Sequence, residues 1–452
     1  MTELIVAMNA KGGIGLGARL PWRNPAELGL FRNMTMGKVL VMGRKTFDSV
    51  PTLPGRRTLR LSRNTRDAVC SAESMDITSI LDITMVPNWQ KTVMIAGGAQ
   101  VYELALTTQF EGNPLVHTVH MSIVEGEHEC DTYFDFKWLD GFIIVFTKHG
   151  DGFVHHTLKR TTHGEHQYLS LVRDLLENGN VREGRNGPTL GRFKTDFTFD
   201  LRNGFPLLTS RKMFLRGIVE EFIFFITGQT DSTVLSEKKV RIWEGNTTAE
   251  FLASRGLDYS PGVMGPMYGY QWRHYNAPYR VDGDGRPLEP TGGIDQLERV
   301  INLINTDPTS RRILMTAYNP CQAEEGVLYP CHSITIQFYV DDQYLDMFCY
   351  NRSQDVALGV PFNIASSSLL LMTVANLTNK TPRFLHMAMG DTHIYEQHAQ
   401  EIAPQLSRVP YKFPTLTVKP IKSLVDLTTL TASDFVLTEY NCHPPIKMKM
   451  VA

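Results

Sequence analysis

The distribution of apolar residues along the chain predicts two successive folded regions. In the first, residues 3–10 alternate as in a strand, and KVLVMG and TVMIAGG have the continuous apolar character of buried strands. Before KVLVMG, the segment NPAELGLFRNMTMG predicts a helix with Pro25 in its first turn and Gly37 at its end. Strands that alternate with helices through glycine-rich connections are typical of an α/β domain. This pattern ends near residue 160, in the polar stretch KRTTHGEHQ.

The second region is longer, and its pattern is mixed. It opens with a predicted helix, HQYLSLVRDLLENG, which stops at Gly179. An apolar helix, FLRGIVEEFIFFITG, several alternating strands and a long helix through NIASSSLLLMTVANLT follow it. The polar junction predicts a domain boundary, with one domain at residues 1–162 and another at 163–452.

Composition limits the class of function. The 452 residues carry a net charge of −2, which argues against a protein built to coat nucleic acid, so no obligatory nucleic-acid partner is expected. The chain shows neither a signal-peptide pattern nor an uncharged apolar stretch of about 18 residues, so we expect a cytoplasmic protein without a membrane partner. The six cysteines lack Cys-x-x-Cys spacing and predict reduced thiols, with no metal site.

A glycine-rich stretch near the N-terminus resembles a dinucleotide-binding fingerprint only in part. Gly13, Gly15 and Ala18 in GGIGLGA fit the spacing G-x-G-x-x-A. The fingerprint must open a helix, but the residues that follow, RLPW, interrupt a helical pattern. We therefore interpret the stretch as a flexible loop.

A second pair of glycines is better placed for phosphate. The segment AGGAQVYEL follows a buried strand and precedes a helix that begins near Gln100. Free N–H groups at the start of a helix bind phosphate well. Arg44, Lys45 and Arg63 follow two other strands and could complete a site for a phosphorylated dinucleotide, although each alone also fits a solvated surface residue.

Glu27 lies in the first turn of the predicted helix, where the helix dipole favours a carboxylate. Helix capping would explain it. However, Phe31 lies one turn later on the same face, and Leu28 and Met34 flank that face. A carboxylate at the head of an apolar face is also well placed to meet a flat, nitrogen-rich heterocycle.

Six stretches of the first region occur in the order found in dihydrofolate reductase, which this region resembles over nearly 160 residues: GIGLGARLPW, PAELGLFRNMT, VLVMGRKTFDSV, LPGRRTLRLSR, IAGGAQVYE and CDTYF. The resemblance implies an α/β domain with a mixed, mostly parallel central sheet that reduces dihydrofolate with NADPH. It implies that Glu27 binds the pteridine ring and helps N5 gain a proton through water. Ser122, where the family usually has threonine, would support Glu27, and Arg56 would clamp the glutamate α-carboxylate of folate.

The same resemblance assigns the remaining residues of both ligand sites. The folate cleft would be lined by Ala7, Leu28, Phe31, Ser49 and Val50. The NADPH site would include Ala7, Ile14, Trp22, Arg44, Lys45, Thr46, Ser62, Arg63, Gly97, Gly98 and Tyr102. The bond between Gly97 and Gly98 is expected to be cis.

In the second region, Cys331 stands between a proline and a histidine in YPCHSITIQFYV, directly before a predicted strand. A catalytic thiol needs nearby positive charge, and several arginines together also suit a phosphate. A phosphorylated substrate and an activated thiol could therefore share one site. His332 is expected on the strand, facing away from Cys331, which argues against a Cys–His protease. The arginines available are Arg185, Arg311, Arg312 and Arg352.

Eight motifs of this region resemble thymidylate synthase: FDLRNGFPLLTSRK, GIVEEFIFFITG, LSEKKVRIWEGN, GPMYGYQWR, DPTSRRILM, YPCHS, YNRSQDVALGVPFNIAS and GDTHIYEQH. The whole chain is therefore similar to the bifunctional dihydrofolate reductase–thymidylate synthases of protozoa and plants. The resemblance implies an α+β domain that converts dUMP to dTMP with 5,10-methylenetetrahydrofolate and releases dihydrofolate. Cys331 would attack C6 of dUMP, Glu221 would organise the water network, and Tyr268 would assist removal of the C5 proton.

The remaining dUMP contacts follow from the same motifs. Asn363 would read the uracil edge, while His393 and Tyr395 would hold the deoxyribose hydroxyl. Arg185, Arg352 and Ser353 would bind the phosphate, and Arg311 and Arg312 would reach it from the other subunit of a homodimer formed by this domain. The folate pocket would be lined by Trp243, Asn246, Asp355, Leu358, Gly359 and Phe362 and closed by the C-terminal KMKMVA.

Two departures from the family affect the dUMP site. Asn351 stands where the family has glutamine, and the loop after Arg185 is one residue shorter than usual, so we expect weaker dUMP binding with the chemistry retained. Two other functions remain as alternatives: a deoxycytidylate hydroxymethylase, and a non-catalytic RNA-binding or scaffold protein. Asn363 favours uracil over cytosine, and Cys331 and Glu221 argue against lost catalysis.

Overall fold

The computed structural model describes residues 2–17, 19–63, 74–161, 164–184 and 186–451. The chain forms two compact units. Unit 1 comprises Met1–His166 and Leu406–Lys412, and unit 2 comprises Gln167–Gln405 and Phe413–Ala452.

Unit 1 is built on one large sheet. Its elements in chain order are β1 (Thr2–Met8), β2 (Gly13–Gly15), α1 (Pro25–Thr35), β3 (Val39–Gly43), α2 (Arg44–Ser49), β4 (Arg57–Leu61), β5 (Ser74–Ile77), α3 (Trp89–Thr92), β6 (Val93–Gly97), α4 (Ala99–Thr107), β7 (Gln109–Phe110), β8 (Asn113–Pro114), β9 (Val116–Val124), β10 (Thr132–Tyr133), β11 (Phe142–Gly150) and β12 (Phe153–Arg160).

The strand order of the large sheet is β11-β12-β9-β1-β6-β3-β4-β5. The pairings from β9 to β5 are parallel, and β12 is antiparallel to both of its neighbours. This confirms the predicted mixed, mostly parallel sheet. Alternation along β1 sends Leu4, Val6 and Met8 into one apolar cluster and Ile5 into another on the opposite face.

Local sequence explains where the elements of unit 1 begin and end. Helix α1 begins at Pro25 and is capped by the Asn24 side chain, which accepts a hydrogen bond from the Glu27 N–H at 2.9 Å. The helix ends at Thr35, slightly before Gly37, which has φ of +74°. After β2, residues 19–24 contain no helix, in agreement with the rejection of the dinucleotide fingerprint; Ala18 lies outside the described residues.

Unit 2 also contains one main sheet, and α5 begins at the boundary between the units. The elements are α5 (Glu165–Asn178), β13 (Asn180–Gly184), β14 (Gly187–Asp200), α6 (Leu215–Ile226), α7 (Thr233–Glu237), α8 (Ala249–Ser254), α9 (Gly269–His274), α10 (Gln296–Thr306), β15 (Leu314–Thr316), β16 (Thr335–Asp341), β17 (Tyr344–Asp355), α11 (Gly359–Leu377), β18 (Thr381–Tyr395), α12 (Ala399–Ile402), β19 (Thr415–Val418) and β20 (Phe435–Thr438).

The main sheet of unit 2 has the order β13-β14-β18-β17-β16-β15, in which only the β17–β18 pair is parallel. This confirms the predicted α+β class. Helix α11 packs on β17, β18 and α6. It is long and apolar enough to cross a membrane, but 72% of its most apolar window is buried, as in the core helix of a globular protein.

Candidate active sites

Unit 1 contains a cavity of about 1430 Å³, lined by β1, α1, α2 and the turn before α4. The cavity brings together residues that are widely separated in sequence. Most of the predicted folate and NADPH residues line it, whereas Ser122 and Trp22 do not. The predicted residues that line it are Ala7, Ile14, Glu27, Leu28, Phe31, Arg44, Lys45, Thr46, Ser49, Val50, Arg56, Ser62, Arg63, Gly97, Gly98 and Tyr102.

Glu27 is the buried carboxyl group of this cavity, with 4% of the residue exposed. Burial raises the pKa of Glu27, and a hydrogen bond from the Ser122 hydroxyl opposes this shift in part. A carboxyl group in such surroundings can hold a proton at a higher pH than an exposed glutamate.

Arg56 has the features of an anion-binding side chain. Its Nη1 donates to Thr35 Oγ1 at 3.2 Å, and its buried Nε has no hydrogen-bond partner among the described residues. Burial lowers the pKa of Arg56, and the neighbouring charge of Arg32 adds to this effect. A buried guanidinium donor without a partner costs free energy until an acceptor binds, and a carboxylate fits its forked geometry.

The other part of the cavity joins two helix starts. Arg44, Lys45 and Thr46 form the first turn of α2, and Gly98 directly precedes α4. A Cβ atom on Gly97 would lie 2.8 Å from Thr46 Cγ2, so the glycine turn and α2 approach closely. N–H groups of helix starts and three cationic or hydroxyl side chains together suit phosphate oxygens.

The predicted cis bond between Gly97 and Gly98 is wrong, because this bond is trans. The turn is formed by φ values of +154° at Gly97 and +65° at Gly98, which glycine adopts without steric cost. A cis bond before a residue other than proline would cost about 2.5–4 kcal/mol.

In unit 2, Cys331 is half-buried and lies against Tyr268. The Tyr268 hydroxyl is 3.3 Å from Cys331 Sγ, and it also accepts a hydrogen bond from the Cys331 N–H at 3.1 Å. Burial raises the pKa of the Cys331 thiol, while the Tyr268 hydroxyl and the charge of Arg352 act to lower it. Arg352 holds the segment before the cysteine, donating to Pro330 O at 2.8 Å and Tyr329 O at 2.9 Å.

The expectation that His332 lies on a strand is wrong, because β16 begins only at Thr335 and Ser333 has φ of +49°. The His332 ring instead stacks on Tyr268, with centroids 4.5 Å apart and an angle of 22° between the rings. Burial lowers the pKa of His332 to about 4. His332 is thus neutral near pH 7 and cannot supply the positive charge that a thiolate needs.

Glu221 is the second titratable group of this site. Trp243 Nε1 donates to its Oε1 at 2.8 Å. Burial raises the pKa of Glu221 to about 7, because a single neutral donor does not offset the loss of hydration. Glu221 can therefore exchange a proton near neutral pH.

The predicted base reader, Asn363, is held by a neighbour that sequence reasoning missed. Its Nδ2 donates to Gln354 Oε1 at 2.9 Å, and Gln354 Nε2 donates to Ser353 O at 3.0 Å. Gln354 follows Ser353 within the motif YNRSQD, which was the one signal for it. Asp355 accepts from two backbone N–H groups, at 2.8 and 3.2 Å, in the turn before α11.

The end of β18 places two more predicted residues together. The rings of His393 and Tyr395 are 5.2 Å apart, and His393 Nδ1 is 2.8 Å from Asp391 Oδ1. Nearby, His398 Nε2 donates to Lys449 O at 2.7 Å, which holds the C-terminal residues. Of the other predicted folate residues, Trp243 and Asn246 lie between α7 and α8. Leu358, Gly359 and Phe362 lie at the start of α11.

The predicted phosphate-binding arginines are not all placed together. Arg311 and Arg312 are exposed and precede β15 at the edge of the sheet, whereas Arg352 contacts the Cys331 segment. Arg185 lies outside the described residues. Asn351 is 0% exposed, accepts from the Ser333 N–H at 2.7 Å and donates to Ala388 O at 3.3 Å. Both ends of its amide are thus engaged by the protein.

Comparisons with known proteins match the two regions separately. The family model of dihydrofolate reductase matches residues 1–154, and that of thymidylate synthase matches residues 166–452. The chain is 36% identical over 470 residues to the bifunctional dihydrofolate reductase-thymidylate synthase of Paramecium tetraurelia, covering 99% of this chain and 98% of the relative. It is 34% identical to a bifunctional enzyme of the same name from Leishmania major, covering 99% of this chain and 94% of the relative.

Proposed function

Because the chain belongs to the bifunctional dihydrofolate reductase–thymidylate synthase family, we propose that residues 1–162 carry the reductase and residues 163–452 the synthase. The protein is an enzyme with both activities. It methylates dUMP reductively to dTMP with 5,10-methylenetetrahydrofolate, and it reduces the dihydrofolate produced to tetrahydrofolate with NADPH. The comparisons lend no support to a hydroxymethylase or to a non-catalytic protein.

The synthase chemistry is assigned to Cys331, and the observation that carries this assignment is its 3.3 Å contact with the Tyr268 hydroxyl. Cys331 Sγ attacks C6 of dUMP, and the electron pair moved to C5 makes that carbon nucleophilic. The folate supplies the one-carbon unit and the electrons that reduce it. Tyr268 assists removal of the C5 proton, Glu221 passes protons through its water network, and the thiolate finally leaves from C6.

The dUMP and folate contacts are proposed from the family motifs, and one of them, Arg185, lies outside the described residues. Asn363, oriented by Gln354, reads the uracil edge, since an amide both donates and accepts. His393 and Tyr395 bind the sugar hydroxyl, and Arg352 with Ser353 and Arg185 binds the phosphate. The folate lies against Trp243, Asn246, Asp355, Leu358, Gly359 and Phe362.

In unit 1, Glu27 is proposed to hold the pteridine ring and to deliver a proton toward N5 through water. Its burial and raised pKa support this role, because the proton must be available near neutral pH. Bound NADPH supplies the hydride. Arg56 binds the folate α-carboxylate with its unpaired donor, while Arg44, Lys45, Thr46, Ser62 and Arg63 bind the NADPH phosphates.

A homodimer is proposed through the main sheet of unit 2. Helix α11 packs on the sheet, with Phe338 and Met347 buried. On the strands Leu314, Tyr339 and Phe348 are exposed by 44%, 65% and 41%, which leaves large apolar side chains in water. A second copy covering them would bring its Arg311 and Arg312, which lie shortly before β15, toward the dUMP phosphate. We further propose a cytoplasmic location, where free thiols stay reduced.

One assay tests both halves of the proposal. Purified protein receives dUMP and methylenetetrahydrofolate, and then NADPH, with absorbance recorded after each addition. We expect Cys331→Ser to abolish dTMP formation while it leaves NADPH-dependent reduction of added dihydrofolate unchanged. Wild-type dTMP formation by Cys331→Ser would refute the role given to the thiol. Sedimentation of the wild type and Tyr339→Asp tests the dimer, because the added charge should release monomers.

A further inference from the structure

Two buried polar side chains lie side by side on neighbouring strands of the large sheet of unit 1, next to Ala7, which lines the cavity. Ala7 on β1 pairs with Ser122 on β9, which pairs with His155 on β12. Ser122 and His155 are 1% and 3% exposed, and Ser122 Oγ is 3.2 Å from His155 Nδ1. The histidine lies 33 positions from the serine in sequence, so only the strand register brings the two together.

The direction of each hydrogen bond made by the Ser122 hydroxyl follows from the groups involved. The Ser122 hydroxyl is 3.2 Å from His155 Nδ1, and as a hydrogen-bond donor it lowers the pKa of the Glu27 carboxyl group. An ionised carboxylate can only accept, and a hydroxyl has one proton to give. When Glu27 is ionised, the proton of Ser122 therefore lies toward Glu27, and the bond to His155 requires a proton on Nδ1 of the imidazole.

We infer that His155 is a positioning residue for dihydrofolate reduction: its Nδ1–H donates to Ser122 Oγ and keeps the hydroxyl proton on the Glu27 carboxylate. A hydroxyl that accepts a hydrogen bond becomes a stronger donor. His155 thus strengthens the bond by which Ser122 stabilises ionised Glu27, and it affects the pH at which Glu27 loses its proton. The inference rests on the proposed function of Glu27.

The titratable and charged groups around His155 lie on other strands and loops of unit 1. The His120 ring on β9 lies parallel to it, with centroids 5.9 Å apart and an angle of 9°. Beyond His120, Glu3 on β1 lies 3.7 Å from its Nε2 and also pairs with Lys38 before β3. Burial, His120 and Lys148 on β11 lower the pKa of His155 to about 4. His155 is therefore neutral in the working pH range and acts through its hydrogen bond.

Three substitutions separate this hydrogen bond from simple packing. His155→Asn places an amide N–H near the position of Nδ1, His155→Gln moves the amide farther out, and His155→Phe removes the donor while it keeps a ring. The readout is the pH dependence of kcat/KM for dihydrofolate with saturating NADPH. Activity requires protonated Glu27, so the rate falls as pH rises through the pKa of Glu27.

The fall in kcat/KM at high pH is the basic limb of the pH profile. We expect His155→Phe and His155→Gln to move the midpoint of this basic limb upward by about 0.5 pH units, which corresponds to about 0.7 kcal/mol. His155→Asn should return it to the wild-type position. The control His156→Phe should not move it, because His156 lies on the opposite face and bonds Thr147 Oγ1 at 2.9 Å. dTMP formation by the same chain measures the amount of intact protein in each preparation.

An independent measurement needs no variant. Long-range ¹⁵N–¹H NMR spectra of the histidine rings should show the proton of His155 on Nδ1, and a proton on Nε2 alone would overturn the inference. The inference would also be overturned if the basic limb kept its midpoint in His155→Phe, or if the Asn and Gln variants had the same midpoint.

Glu27→Gln separates the proposed role of Glu27 from the inferred role of His155. If the basic limb survives that change, the proposed role of Glu27 fails. If Glu27→Gln removes the limb and His155→Phe leaves it in place, only the role of His155 fails.

Discussion

The contact between Tyr268 and Cys331 predicts how strongly one hydroxyl controls the thiol. The Tyr268 oxygen accepts from the Cys331 N–H at 3.1 Å, so its own proton is available for Cys331 Sγ at 3.3 Å. Tyr268→Phe removes this proton and keeps the ring that stacks on His332. The change therefore tests the hydrogen bond with little loss of packing.

The size of the effect follows from the charge on sulfur. A hydrogen bond to a charged group contributes about 1.5–3 kcal/mol, which is about one to two pKa units. Burial already raises the pKa of Cys331, and the hydroxyl opposes that rise. Without the hydroxyl the pKa of Cys331 rises further. At a pH below this pKa, the thiolate fraction therefore falls by about 10- to 100-fold.

Alkylation measures this fraction directly. The rate of iodoacetamide modification at Cys331 is followed by mass spectrometry of its peptide as a function of pH, since only the thiolate reacts. The exposed Cys321 serves as an internal reference in the same chain. We expect the midpoint for Cys331 to rise by about one to two pH units in Tyr268→Phe, with no change for Cys321.

Tyr270→Phe is the matched control. Tyr270 is buried two residues away, and its hydroxyl donates to Ala277 O at 3.3 Å and Pro278 O at 3.2 Å. Tyr270→Phe therefore removes a tyrosine hydroxyl that is not bonded to the Cys331 thiol. If Tyr268→Phe and Tyr270→Phe give the same Cys331 midpoint as the wild type, the hydroxyl does not stabilise the thiolate and our account of the nucleophile is wrong.

Three further predictions concern binding and stability. Arg56→Lys should raise KM for dihydrofolate about 10-fold or more at similar kcat, because lysine lacks the fork that pairs with a carboxylate; an unchanged KM would contradict this. Asn351→Gln should lower the free energy of unfolding in urea by about 1–3 kcal/mol, since it adds a methylene at a fully buried site; tighter dUMP binding by this variant would support the binding defect expected from sequence. Asp76→Asn should cost about 3–5 kcal/mol, because it removes the charge that pairs with the buried Arg60 and replaces one of the two acceptor oxygens, at 2.7 and 2.8 Å, with an amide N–H group. Asp48→Asn, at an exposed partner of Arg60, should cost less than about 1 kcal/mol when both variants are unfolded in urea.

Periodicity and local signals predicted the elements that depend on near neighbours. The alternation of β1 and the Asn24–Pro25 start of α1 are visible in a few consecutive residues, and the structure has both. The strand after Cys331 was predicted, but His332 was wrongly placed on it, because the apolar alternation of SITIQFYV begins before the strand does. The chain turns at Ser333, which has a positive φ, and a serine residue does not by itself predict this conformation.

The candidate sites were predictable to the extent that their residues lie in short motifs. Glu27 and Cys331 could be found in this way. The contacts that tune them could not, because they depend on strand register and on helix packing: His155 meets Ser122 across 33 positions, and Trp243 meets Glu221 across 22. Periodicity does not encode which strands become neighbours.

The two units apply the same electrostatic arrangement to different reactions. Glu27 is buried and Glu221 is half-buried, and the neutral donor that acts on each is a serine hydroxyl in one case and an indole N–H in the other. The same chain shows what a cationic partner does instead: Glu3, paired with His120 and Lys38, has its pKa lowered to about 2. A carboxylate of that kind stays ionised at every physiological pH and cannot exchange a proton with a substrate. Burial with a neutral donor raises the pKa of Glu221 to about 7 and that of Glu27 in the same direction, which is the condition for proton transfer in both proposed mechanisms.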